Sequence, residues 1–197
     1  KGTNGIYKMQ GAAVCIDNTT GRVVAIVGGR SQKSSGYTLN RAYQSFRQPG
    51  SSIKPLIDYT PSLERNYTPD SSVNDHKFSG GPSNASGRYY GYVSLRFALE
   101  QSLNTVAWQL FEELTPKVGL QYLLNMHFSK IVKKDYINAA SIGGLTYGCS
   151  ALERYRTWSW LGYRYRLCRK DRYDKRSQGR LVLRIYPILH DSRMDWL

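Results

Sequence analysis

Two short apolar runs, Gly11-Ala-Ala-Val-Cys-Ile-Asp17 and Val23-Val-Ala-Ile-Val27, stand either side of Asn18-Thr-Thr-Gly-Arg22. They constrain the fold more than any other stretch. Their spacing predicts an antiparallel hairpin turning near Gly21. Neither run alternates apolar with polar, the pattern of strands covered on both faces. A sheet covered on both faces needs helices, and the sequence supplies them downstream. Gly28-Gly29 ends the second strand, and residues 30–46 read as a loop. Ile53 to Leu63 fits a helix with Pro55 in its first turn. Residues 66–92, rich in Ser, Asn, Gly, Pro and Tyr, form a long irregular stretch of the kind that walls a binding groove. Helix returns at Val93–Glu100, breaks around Gln101–Asn104, resumes over Thr105–Leu114 and starts again at Pro116, running to about Met126. Strands, helix, loop and helices in that order predict an α+β domain with a central sheet and a helical lobe.

The length of 197 residues suits one domain with a real core. A net charge of +14 would suggest a polyanionic partner, but its distribution argues otherwise. Residues 1–153 hold 16 Lys/Arg against 10 Asp/Glu, whereas residues 154–197 hold 12 against 4. The excess belongs to the tail. Cys15, Cys149 and Cys168 form neither a CxxC pair nor a Cys/His ligand pattern, so no disulfide framework and no zinc site is expected. No stretch is long and apolar enough to span a bilayer, and Lys1 does not begin a signal peptide. An export signal or membrane anchor is therefore expected upstream.

The chemistry centres on Arg47-Gln-Pro-Gly-Ser-Ser-Ile-Lys54. With a helix starting near Ser51, Ser51 and Lys54 lie on one face, a turn apart. A serine is a weak nucleophile until a base takes its proton, and a lysine shielded from water can be that base. Gly50 permits a sharp turn at the serine. Ser-x-x-Lys is a motif of penicillin-binding serine acyl-transfer enzymes, although four positions with two fixed recur by chance. Ser102-Leu-Asn104 adds a hydroxyl and a carboxamide at an interhelical corner, where both can face one cleft. Either residue would also serve as N-cap of the following helix.

Taken together, these stretches resemble the transpeptidase domain of the bifunctional (class A) penicillin-binding proteins, from about Gly11 to Glu153. The resemblance is carried by Ala12–Gly29, Arg41–Pro55, Thr68-Pro-Asp-Ser-Ser-Val-Asn-Asp75, Gly91–Ala107 and Ser141-Ile-Gly-Gly-Leu-Thr-Tyr-Gly-Cys-Ser-Ala-Leu-Glu153. It implies the α+β penicillin-binding transpeptidase / serine β-lactamase-like fold, here truncated, with a central antiparallel sheet and a helical lobe. By resemblance, Ser51 attacks the D-Ala-D-Ala carbonyl of a peptidoglycan stem peptide, Lys54 is its base, Ser102 relays a proton to the leaving nitrogen and Asn104 holds the substrate amide. No metal or other cofactor is implied. The expected partners are stem peptides and β-lactams, with an upstream glycosyltransferase domain and anchor, at the outer face of the cytoplasmic membrane. A non-catalytic penicillin-binding sensor or scaffold, or a serine β-lactamase, is the alternative.

The family's third motif, Lys-Thr-Gly on a strand beside the nucleophile, does not occur in the chain. The tail from Arg154 lacks Ala, Asn, Glu and Phe altogether and shows no strand or helix period. A reading-frame slip accounts for it. In the frame shifted by one base, Lys170–Asp174 can spell Lys-Thr-Gly-Thr-Thr, and Gly179–Trp196 can spell a run similar to the family's following strands. The expected organisation is thus a partial transpeptidase domain over 1–153 and an out-of-frame tail without native fold over 154–197. That would leave a sheet edge open. The rival for the tail is a basic arm for nucleic acid or anionic wall polymer, since its arginines and tyrosines interleave. That rival explains the charge but not the composition, so no nucleic acid is expected as a partner.

Overall fold

The computed structural model describes residues 7–17, 20, 22–30 and 38–154, and the backbone of 182–188. The chain divides into two compact units, residues 1–46 with 150–197 and residues 47–149.

The first unit is built on the expected hairpin. Strands β1 (Gln10–Ile16) and β2 (Val23–Val27) pair antiparallel, with Ala13 opposite Val27 and Ile16 opposite Val23. The turn is closed by the Asp17 N–H donating to Arg22 O at 2.9 Å and the Thr20 hydroxyl donating to Asp17 Oδ2 at 2.7 Å. Ala12, Val14 and Ile16 point to one face, where they pack with Ala42, Ala151 and Leu152. Ala42 lies in a short helix, α1 (Arg41–Gln44), inside the stretch read as loop; its N-cap Asn40 accepts from the Ala42 N–H at 3.1 Å.

One expectation is corrected in this unit. Full cover on both sheet faces holds for most of β1 but fails for β2, whose five residues are all exposed. The strand order is β2-β1-β5, so among the described residues β2 is an edge, and none of them covers either of its faces. A continuous apolar run identifies a strand without saying how many neighbours it has. β1 is also paired along its other side by β5 (Val182–Ile188), antiparallel, with Gln10 opposite Ile188 and Ile16 opposite Val182. Val-Leu-Arg-Ile-Tyr-Pro-Ile is rich in strand formers, and Pro187, which has no N–H to give, sits on an edge strand where that loss is tolerated. Residues 155–181 and 189–197 of the tail lie outside the described residues, as does Cys168.

In the second unit a helical rod runs from Gly50 to Leu63 in three pitches: a 3-10 turn over Gly50–Ile53, a π-helical turn over Pro55–Tyr59 and α2 over Thr60–Leu63. Two prolines cause the change of pitch, because Pro55 and Pro61 donate no N–H to the ladder. Thr60 closes the wide turn twice on Pro55 O, through its N–H and through its hydroxyl at 2.6 Å. Ile53, Leu56 and Ile57 on this rod are fully buried. Strands β3 (Ser72–Asp75) and β4 (Gly91–Ser94) form a second hairpin within the stretch read as irregular. Four residues each, with one central valine, give too little pattern to recognise. Helices α3 (Leu95–Glu100), α4 (Asn104–Leu114) and α5 (Pro116–Asn125) follow, the first starting later than expected because Val93 and Ser94 belong to β4. Tyr59, Val93, Leu95, Ala98, Leu103, Val106 and Leu110 form the core between the rod, β4 and helices α3 and α4.

Candidate active site

The 3-10 turn decides how Ser51 and Lys54 face each other. Side chains three apart eclipse at that pitch, and the Lys54 N–H donates to Ser51 O. Gly50 makes the turn possible with φ of +53°. The segment after the last 3-10 turn, Asn138–Ile142, closes over it. Gly143, at φ +89°, lies so near the Gly50 backbone that a Cβ there would overlap Gly50 N, Cα and O. Arg47 and Cys149 exchange two backbone hydrogen bonds, at 3.0 and 2.9 Å, and buried Asp135 ties the same segment down by accepting from the Thr146 N–H at 2.7 Å and its hydroxyl at 2.6 Å. Ser51 itself is exposed.

Lys54 is the opposite, with no exposed surface at all. Its Nζ donates to Ser102 O at 2.7 Å, Asn104 Oδ1 at 2.7 Å and Ser102 Oγ at 3.3 Å. Three acceptors match the three N–H of an ammonium. Burial nonetheless pulls the amine from 10.5 down to about 8, while the nearby Asp58 acts upward. Asp58, four residues on and also fully buried, has neither carboxyl oxygen hydrogen-bonded. Burial raises its carboxyl well above the ordinary range, opposed by the charge of Lys54. A buried carboxylate with no donor is far costlier than a buried acid, so the neutral form is favoured there.

Ser102 and Asn104 reach Lys54 through an unusual corner. Helix α3 ends in a Schellman motif: the Leu103 N–H donates to Ala98 O at 2.9 Å and the Ser102 N–H to Leu99 O at 3.1 Å. Such a motif places its C′ residue in the left-handed region, normally glycine, and here Ser102 takes it with φ of +55°. The conformation costs about 1–2 kcal/mol for a residue with a Cβ. The capping role open to Ser102 and Asn104 is not what is observed. Leu103 is the N-cap of α4 and Asn104 its first residue. The first amides of α4 are received by Asn84, whose Oδ1 accepts from Asn104 N at 2.8 Å and Thr105 N at 3.4 Å.

The four residues singled out by sequence therefore fall on one rod and one corner of the same unit. Lys54, Ser102 and Asn104 are in direct contact, and Ser51 lies one turn before Lys54; no hydrogen bond joins its hydroxyl to Lys54. Asp58 and Asn84 were missed. Asp58 could have been found from its i+4 spacing to Lys54, whereas Asn84 lies in a Gly/Ser-rich stretch with no local signal. Among the described residues no helix is long and apolar enough to cross a membrane.

Comparison with known proteins shows what the chain is similar to. Residues 11–147 match the family described as the penicillin binding protein transpeptidase domain. The chain is 37% identical over 158 residues to Penicillin-binding protein 4 of Bacillus subtilis, covering 78% of this chain and 25% of that protein. It is 34% identical over 192 residues to Penicillin-binding protein 1A of Neisseria flavescens, covering 92% of this chain and 23% of that protein. The latter alignment takes in more than residues 1–153 could supply and so continues into the tail. The chain thus spans about a quarter of the length of these relatives. Among solved structures, Penicillin-Binding Protein 1A from Haemophilus influenzae superposes with a TM-score of 0.66 at 29% identity, covering 78% of this chain and 23% of that one. The PonA1 protein from Mycobacterium tuberculosis, solved in complex with penicillin V, shares the fold with a TM-score of 0.62 at 22% identity, over 78% of this chain and 44% of that one. With well over half of its length matched, the chain belongs to the penicillin-binding protein transpeptidase domain family.

Proposed function

We infer that this chain carries the acylation centre of a peptidoglycan D,D-transpeptidase. The observation that supports it most is the fully buried Lys54, held at about 8 and in contact with both Ser102 and Asn104. An amine near that value loses a proton readily at neutral pH. In the reaction the Ser51 hydroxyl gives its proton to neutral Lys54 as Oγ attacks the penultimate D-Ala carbonyl. The C–N bond to the terminal D-Ala breaks, Ser102 passes the proton to the leaving nitrogen, and an ester on Ser51 remains. The amine of a neighbouring stem peptide then takes the acyl group, forming the cross-link and freeing Ser51. Asn104 keeps one lone pair of Oδ1 and one N–H for the substrate amide. A β-lactam acylates Ser51 in the same way, and its ring-opened ester stays. Such a centre works at the outer face of the cytoplasmic membrane, on stem peptides, held there by an anchor and accompanied by a glycosyltransferase domain elsewhere in the protein.

Lys-Thr-Gly is absent from these 197 residues. A strand backbone at that motif supplies oxyanion donors, each worth about 3 kcal/mol. The 197-residue chain alone is therefore expected to acylate slowly. Fluorescent penicillin, with Ser51→Ala as control, tests both statements. Slow labelling lost in Ser51→Ala is expected; no Ser51-dependent labelling refutes the acyl-transfer reading, and rapid labelling refutes the impairment. For residues 154–197 the proposal is a slipped frame, set against the Neisseria flavescens alignment that continues past Glu153 in the frame as written. The nucleotide sequence tests it: a spelling of Lys170–Asp174 that cannot yield Lys-Thr-Gly ends the idea.

A further inference from the structure

The side chain of Asn104 has two ends, and both are accounted for. Oδ1 accepts from Lys54 Nζ at 2.7 Å, while Nδ2 donates to Ser83 O at 2.8 Å. The backbone N–H of the same residue donates to Asn84 Oδ1 at 2.8 Å. Ser83 and Asn84 thus grip Asn104 by its main chain and its carboxamide together. Asn84 is in turn locked. It is 4% exposed, its oxygen takes two amides of α4, and its Nδ2 donates to Asp75 Oδ1 at 2.8 Å and Arg88 O at 2.9 Å. With both donors and the oxygen engaged, the carboxamide cannot be turned over without losing all four bonds. Asp75, fully buried, completes the cluster by accepting from the Tyr90 N–H at 2.9 Å and from the Thr105 hydroxyl.

This arrangement does what a side chain on Leu103 cannot. Helix α4 opens on an apolar N-cap, so its first amides need an acceptor from elsewhere. The acceptor comes from the loop between β3 and β4, twenty residues upstream. We propose that Asn84 is a positioning residue of the acyl-transfer centre, capping α4 across the chain and so holding the Asn104 carboxamide on Lys54. This rests on the function proposed above, but its geometric part does not depend on it. The consequence is that the loop over residues 76–90 sets the surroundings of the base without touching it.

The prediction concerns Lys54, whose charged form is favoured by each acceptor it meets. The charged or titratable groups around it are Asp58 on its own rod, with Tyr59 and Asp75 behind; the corner of Ser102 and Asn104 brings only neutral groups. Changing Asn84 leaves Asp58 and Tyr59 in place and takes one of its hydrogen bonds from Asp75, which does not touch Lys54. The test is side-chain carbon NMR titration of Lys54 in the full chain, for wild type, Asn84→Ala, Asn104→Ala and the double variant. Both single variants are expected to lower the midpoint by about one pH unit, and the double variant no further than Asn104→Ala alone. A midpoint unchanged in Asn84→Ala, or additive shifts in the double variant, overturns the proposal. Asn84→Ser, which keeps a shorter acceptor, replaces the alanine variant if that does not fold. It should shift the midpoint in the same direction by less, and no shift overturns the proposal equally. Penicillin labelling separates the two readings. In Asn84→Ala the plateau rate at high pH is expected to fall about tenfold, along with the lowered midpoint. Absence of labelling in wild type with the expected titration shifts would refute the acyl-transfer function and leave the positioning role standing.

Discussion

Ser102 is placed where the backbone favours glycine, and a pair of substitutions measures what the serine costs. Both Ser102→Gly and Ser102→Ala remove the hydroxyl 3.3 Å from Lys54 Nζ. They differ in the backbone they tolerate at φ +55°. Alanine keeps the Cβ and so keeps the left-handed penalty of about 1–2 kcal/mol. Glycine escapes it but gives the unfolded chain extra freedom, a loss of about 0.5–1 kcal/mol. The glycine variant should therefore be more stable than the alanine variant by about 0.5–1 kcal/mol. In an ordinary helical position the order is the reverse, by about 1 kcal/mol. Urea unfolding reads the difference as a midpoint higher in the glycine variant by about 0.3–0.5 M, given a slope of about 2 kcal/mol/M. Acylation by fluorescent penicillin should fall in both variants alike, by about 100-fold or more, since both lack the hydroxyl proposed as proton relay. An alanine variant as stable as the glycine variant would refute the backbone argument. A near wild-type acylation rate in either would refute the relay.

Three further outcomes are expected. The acylation rate depends on neutral Lys54, whose amine burial lowers to about 8, so the rate should fall about tenfold per pH unit below that value and level off above it; a flat profile from pH 6 to pH 8 contradicts Lys54 as the base. Asp58→Asn removes a carboxyl that stays protonated in the fold while ionising in the unfolded chain, so wild type loses stability as pH rises above the usual carboxylate range and the variant does not. Its stability relative to wild type should therefore rise between pH 4 and pH 7 in urea unfolding, and a fall would show that Asp58 is ionised. Gly143→Ala combines a left-handed φ with an overlap on the Gly50 backbone, so a loss of about 2 kcal/mol or more is expected, with slower labelling of Ser51; a variant as stable as wild type shows that the segment yields instead.

The legibility of the chain follows from the range of each interaction. Ser51 and Lys54 could be paired because three residues at the head of a helix fix their relation locally. The hairpin of β1 and β2 was visible for the same reason, since its strands are adjacent in sequence. What escaped was set from far away. The exposure of β2 depends on what packs over the two faces of the sheet, a matter its own residues do not encode. The left-handed turn at Ser102 breaks the preference that a sequence reading relies on, and it is held by the closing hydrogen bonds of α3. Asp75 and Asn84 reach Thr105 and Asn104 across 30 and 20 residues, from a stretch whose composition signals only irregularity. The short strands β3 and β4 carried too few apolar positions to be seen.

The two hydrogen bonds between Arg47 and Cys149 have a consequence for engineering. All four residues of the candidate site lie between these positions, in the unit that runs from 47 to 149. Its two ends therefore meet at one antiparallel bridge. A segment whose ends already touch can be closed into a ring by a short linker, or reopened at an exposed loop away from the site such as that around Ser129 and Lys130, with little change in the conformations open to it. Such a permutant would carry Ser51 and Lys54, the proposed nucleophile and base, and the corner of Ser102 and Asn104 on one segment.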